Sequence, residues 1–156
     1  MNVYRKIGLV AGLQILFSTL ISPHSVSAEV VYSDKHLLLY DSGVVHDIES
    51  GLEWYAGPDQ AMSWEEAKNW VSGIAEVGGG WRMPTKSELD TLHQVGDGIN
   101  NISYLLYNSG YWMWAGQTKK SSSKWIFSFS YGGEGWNGQP PDDGGRAIAV
   151  RDRKSH

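Results

Sequence analysis

MSWEEAKNWVSGIAEVGGGWRMPTKSELDTL, residues 62–92, decides the fold. Ser63 and Glu66 have capping-box spacing, in which a hydroxyl and a carboxylate satisfy free N–H groups at a helix start. Trp64, Ala67, Trp70, Val71, Ile74 and Val77 follow at helical spacing and define one apolar face. Gly78 supplies the expected stop, since glycine enters the left-handed region without steric cost. Trp81-Arg82-Met83-Pro84 is then extended around Met83, because proline disfavours helix in the residue before it. Thr85 and Glu88 repeat the capping-box spacing, so a second helix is expected through Leu89 and Leu92.

Working outward, Val44 to Ile48 and Leu52 to Tyr55 flank Glu49-Ser50-Gly51 and read as a β-hairpin. Leu37 to Tyr40 reads as an edge strand ahead of it, while Glu29 to Leu39 as a whole is ambiguous. On the other side, Ile102 to Tyr107 suggests one helical turn. Tyr111 to Gln117 and Lys124 to Gly132 read as a strand pair joined through Lys119 to Ser123. In the second of these, Trp125, Phe127, Phe129 and Tyr131 alternate with Ile126, Ser128 and Ser130, which predicts one packed face and one wetter face. Gly132 to Gly145 reads as a long loop, and Arg146 to Arg151 as a closing strand. Segregated helices and antiparallel strands predict an α+β domain.

The helix followed by Gly80-Trp81-Arg82-Met83-Pro84-Thr85, with Glu88-Leu89 after it, resembles the Lcl C-terminal domain family. Asp47-Ile48-Glu49-Ser50-Gly51-Leu52-Glu53-Trp54 is similar to the opening element of that family, with Ser50 in place of threonine. Tyr111-Trp112-Met113-Trp114 resembles its aromatic strand without the usual serines, and Ala149-Val150-Arg151-Asp152 its closing element. The resemblance implies a C-type-lectin-like fold, with two helices flanking a twisted antiparallel sheet and the N- and C-terminal strands paired. It implies a bacterial surface or envelope domain.

The 156 residues carry 13 Lys and Arg against 17 Asp and Glu, a formal charge of −4. Arg5 and Lys6, an apolar run from Ile7 to Ile21, and Val26-Ser27-Ala28 have the layout of a signal peptide, with cleavage expected after Ala28. The alternative, a retained anchor, is disfavoured because the run falls short of about 20 residues and Gln14, Ser18 and Thr19 interrupt it. Residues 1–28 are thus read as a signal, 29–43 as a lead-in, 44–152 as the domain and 153–156 as a polar tail. Removing the leader takes away two cations and no acid, so the charge becomes −6 (11 − 17). Nucleic-acid binding, which rests on clustered Lys and Arg, is a poor fit to such a chain. With no cysteine there are no disulfide staples, so the eight tryptophans must supply much of the core.

The predicted chemistry is binding. Trp112, Trp114, Trp136, Asn137, Gln139, Asp142 and Asp143 are the expected ligand-binding residues, in the segment between Asn108 and Gly145. Trp112 and Trp114 point opposite Tyr111 and Met113, so one of these sets is expected in the core and the other at a surface. The segment that holds Glu134, Asn137, Asp142 and Asp143 is read as an ordinary solvated acidic loop without a metal, with calcium, which takes oxygen donors of this type, as the alternative. Trp54, Trp64, Trp70, Trp81, Pro84 and Glu88 are read as structural. Arg82 and Arg151 are read as partly buried guanidinium groups needing carboxylate or carbonyl partners, with Asp47, Glu88 and Asp90 as candidates for Arg82.

An enzyme of the formylglycine-generating type shares the implied framework, but its copper-thiolate chemistry needs cysteines. The histidines after the leader, His36, His46, His93 and His156, show no paired ligand spacing. No nucleophile elbow or phosphate-binding glycine loop is present. The sequence therefore points to a non-catalytic module without a required cofactor, binding a surface glycan or an envelope protein. A structural envelope component is the second reading.

Overall fold

A computed structural model describes residues 28–75, 77–96, 101–106, 112–120, 123–130, 132–135 and 144–153. The first four strands form an antiparallel run: β1 (Val30–Asp34), β2 (Leu37–Tyr40), β3 (Val44–Asp47) and β4 (Leu52–Ala56). Two helices follow, α1 (Trp64–Gly73) and α2 (Lys86–Thr91), then β5 (Trp112–Lys120), β6 (Ser123–Ser128), β7 (Gly133–Gly135) and β8 (Ile148–Asp152). β8 returns to pair antiparallel with β4, from Leu52 opposite Asp152 to Ala56 opposite Ile148. The result is a five-stranded sheet ordered β1-β2-β3-β4-β8 and a three-stranded sheet ordered β5-β6-β7. The expected α+β class holds, with the strands divided between two sheets.

The β3–β4 turn shows why Asp47, Ser50 and Gly51 occur together. Asp47 Oδ1 accepts from the Glu49 and Ser50 N–H groups at 2.9 and 3.2 Å, and Oδ2 accepts from the Ser50 hydroxyl at 2.6 Å. Gly51 then adopts φ +74°, where a side chain is disfavoured. Asp47 is 2 % exposed, so these bonds are what make its burial tolerable. That use removes it from the candidate partners of Arg82.

Both capping boxes form as the spacing predicts, Ser63 with Glu66 and Thr85 with Glu88. Helix α1 nevertheless stops earlier than expected. Gly73 is its last residue and Ile74, in an extended conformation, caps it through an N–H bond to the Val71 carbonyl. Leaving the helix there lets Ile74 bury against Val44, Val71, Trp81 and Ala149. Gly78 does adopt φ +78°, but in the loop beyond the helix rather than at its end.

Three apolar clusters fill the domain. Leu37, Val45, Trp54, Ile148 and Val150 from one face of the larger sheet pack with Leu89, Leu92, Met113, Phe127 and Phe129. Val44 and Ala149 on its other face meet Val71, Ile74 and Trp81, with Tyr55 and Trp70 alongside. Trp64, Ala67, Trp114, Ile126 and Ala147 join α1 to the smaller sheet. Because β5 and β6 contribute to both the first and third of these, Met113 and Trp114 are both buried, as are Ile126, Phe127, Ser128 and Phe129. This corrects the expectation of one wetter face: helix α1 covers the side that alternation alone leaves open.

Other sequence readings also shift. β2 lies inside the sheet, whose edge strands are β1 and β8. Residues 103–106 form a turn rather than a helix, closed by the Leu106 N–H on the Ser103 carbonyl at 3.0 Å. Part of the expected Gly132–Gly145 loop is the short strand β7, paired with β6. Residues 1–27, the body of the expected leader, lie outside the described residues.

Candidate functional site

A cleft of about 670 Å³ opens between α1 and the Arg82–Thr85 segment, with β5 as its third wall. Local chemistry sets each wall. The Trp64 indole donates Nε1–H to the Ala115 carbonyl at 2.8 Å, which ties the start of α1 to β5. The Gly116 N–H donates to the Pro84 carbonyl at 2.8 Å, and the Lys86 N–H to Gln117 Oε1 at 3.1 Å, tying the extended segment to the same strand. A Cβ on Gly116 would lie 2.8 Å from the Met83 Cβ, so glycine permits this approach. Arg82 forms a backbone bridge to Val150 and holds the segment against β8. Val71, Met83 and Pro84 give the cleft an apolar floor, and Lys68, Ser72, Arg82, Thr85 and Gln117 give it polar edges.

Arg82 is fixed by Glu88 in a two-pronged pair, Nη1 to Oε2 at 2.8 Å and Nη2 to Oε1 at 2.6 Å. Glu88 Oε2 also accepts from the Thr85 N–H at 2.7 Å, so one carboxylate serves both the guanidinium and the helix cap. The Arg82 guanidinium, assisted by the Thr85 bonds, holds the Glu88 carboxyl down at about 2 despite its partial burial. The expected partner of Arg82 is thus Glu88; Asp90 is exposed. The Arg82 side chain is 42 % exposed and faces the cleft. Arg151 reaches Glu53 at 2.7 Å, donates to the carbonyls of Val77, Gly78 and Gly79, and lies over the Trp81 ring at 4.1 Å.

Cations gather over the tryptophans around the cleft. Lys68 Nζ lies 5.2 Å and Lys124 Nζ 3.7 Å from the Trp64 ring centre, and Lys86 Nζ lies 3.9 Å from that of Trp125. Lys124 also approaches Glu65 at 3.6 Å. The sequence reading missed this group. Its available signals were Trp64 and Lys68 at i, i+4 spacing and the run of lysines at 119, 120 and 124.

The structure does not gather the predicted binding residues at this cleft. Trp114 is 2 % exposed and donates its indole N–H to the Met62 carbonyl at 2.7 Å, so it is core rather than ligand surface. Trp112 is half-buried and packs against the same cluster as Trp64 and Ile126. Trp136, Asn137, Gln139, Asp142 and Asp143 lie outside the described residues, and for Glu134 only its backbone position on β7 is described. Among the described residues no three His, Asp or Glu side chains converge as a metal site. No helix among them is long and apolar enough to cross a membrane. Trp54, Trp64, Trp81 and Pro84 are buried, and Trp70 stacks on Tyr55 with 6.4 Å between ring centres.

These features define an α+β domain of two antiparallel sheets in which two box-capped helices and a Trp-Arg-Met-Pro-Thr segment frame a cleft. The family model for the Lcl C-terminal domain matches residues 43–151, and the chain belongs to that family. Comparison with curated proteins and with solved structures returns no match.

Proposed function

We propose that this protein is an exported, non-catalytic binding module of C-type-lectin-like topology whose ligand is a surface glycan or an envelope protein. The observation that carries the reading is the cleft itself. It sets an apolar floor beneath Lys68, Ser72, Arg82, Thr85 and Gln117. Apolar surface with a few fixed polar groups is the usual makeup of a ligand site. The lectin-like assignment draws support from the return of β8 to the N-terminal hairpin. Export rests on the leader pattern before Glu29.

A glycan array and an immobilised envelope extract, each probed with the purified protein with calcium and with a chelator, test this function. Retention of a defined ligand in both conditions, without its conversion, is the expected result. Binding lost on chelation would transfer the site to Glu134, Asn137, Asp142 and Asp143. Turnover of a retained ligand would replace the binding reading with an enzymatic one.

A further inference from the structure

Within that binding reading, we infer that the cleft recognises a locally acidic polypeptide segment carrying an apolar or aromatic side chain between its carboxylates. The inference names the partner of the proposed site and rests on that proposal.

Three features narrow the ligand. Trp64 is 9 % exposed, with its N–H committed to Ala115 and two lysine ammonium groups over its ring. Trp125 is half-buried beneath Lys86. A sugar ring stacks on an open aromatic face, and Trp64, the indole in the cleft lining, is too buried to offer one. The rings instead steady the lysine heads, since an ammonium over an indole is held by the ring quadrupole. Side chains steadied in advance lose less freedom when a ligand binds.

The charge pattern supplies the second feature. The chain after the leader is acidic, with 17 acids against 11 Lys and Arg, yet the charged side chains lining this cleft are Lys68 and Arg82. Lys124 and Lys86 stand over the flanking rings. Two acids are paired with these cations, Glu88 with Arg82 and the Thr85 N–H, and Glu65 with Lys124. A locally acidic segment is complementary to these cations, and such complementarity favours the partner's docking here and sets its register.

The third feature is the floor of Val71, Met83 and Pro84, which an unbroken run of carboxylates cannot cover. A peptide that alternates acids with an apolar side chain satisfies the cations and the floor together. The expected recognition is therefore charge-steered and apolar-anchored.

The purified full chain can be tested by fluorescence anisotropy against labelled poly(Glu,Tyr), polyglutamate and polygalacturonate, with Lys68→Glu, Lys68→Arg and Ser72→Trp variants. Both positions are exposed on α1, and circular dichroism confirms folding. Poly(Glu,Tyr) should bind most tightly, weaken with added salt, and lose at least about tenfold in affinity in Lys68→Glu and Ser72→Trp, while Lys68→Arg retains binding. Equal binding of polyglutamate overturns the apolar anchor. Preferential binding of polygalacturonate, lost in the same variants, overturns the polypeptide assignment and leaves the cleft a glycan site. If no polymer binds while the arrays still yield a ligand, the acidic-peptide inference fails alone; if the arrays are also blank, the binding reading fails with it.

Discussion

Replacing Glu88 with Gln removes one negative charge at the point where the Trp-Arg-Met-Pro-Thr segment joins α2. The native carboxylate accepts two bonds from Arg82 and one from the Thr85 N–H. Its pKa falls from 4.5 to about 2, and a shift of that size corresponds to a ceiling of about 3 kcal/mol. The Arg82 side chain is 42 % exposed, so solvent screening reduces the expected loss to about 1–2 kcal/mol. For a domain of this size that is a fall in Tm of roughly 3–8 °C. The sign follows from linkage. A depressed folded-state pKa adds stability that is complete above 4.5 and disappears as pH falls towards 2. Urea unfolding followed by tryptophan fluorescence should therefore show a gap between wild type and Glu88→Gln at pH 7 that narrows steadily below pH 4.5. A gap unchanged down to the pH where Glu88 is protonated would refute the ion-pair argument and assign the loss to packing.

Other substitutions probe separate parts of the fold. Asp47→Ala strands the N–H groups of Glu49 and Ser50 in the β3–β4 turn and should cost about 2–3 kcal/mol in the same assay, with Asp47→Asn recovering part of it. Gly57→Ala places a Cβ 2.3 Å from the Ala147 carbonyl oxygen, so the β4–β8 junction must spread, at a cost of about 1–3 kcal/mol measured by thermal melts. His46 is 5 % exposed; burial, with Arg153 adding to it, pulls its pKa below 6.5. Its neutral form thus adds stability that is complete above pH 6.5 and is lost as pH falls below it. NMR titration should place its midpoint under 6.5, and His46→Gln should remove that part of the pH dependence.

The local fold was legible wherever short-range chemistry decides it. Ser63 with Glu66, and Thr85 with Glu88, are spaced as a hydroxyl and a carboxylate must be to close a helix start, and both boxes form. Asp47 to Leu52 likewise reads as a turn because its bonds lie within a few residues. Long-range packing is where the sequence misleads. Ser128 suggests a wetter face on β6, yet it is 1 % exposed because the smaller sheet lies between two apolar clusters. Trp114 reads equally well as surface or core until Met62 is seen to accept its indole N–H. The cleft was harder still, since its walls come from α1, residues 82–85 and β5, and only the fold brings Lys68, Arg82 and Gln117 together. Tryptophan density pointed to the C-terminal half, whereas the cation-bearing Trp64 belongs to the first helix.

Parallel glycan and peptide arrays, probed with wild type and with Ser72→Trp in the presence of chelator, test the proposed site most directly. A defined set of ligands held by wild type and lost when an indole fills the cleft is the expected result. Identical binding profiles for the two proteins, or ligands that appear only with calcium, would contradict it and place recognition elsewhere on the molecule.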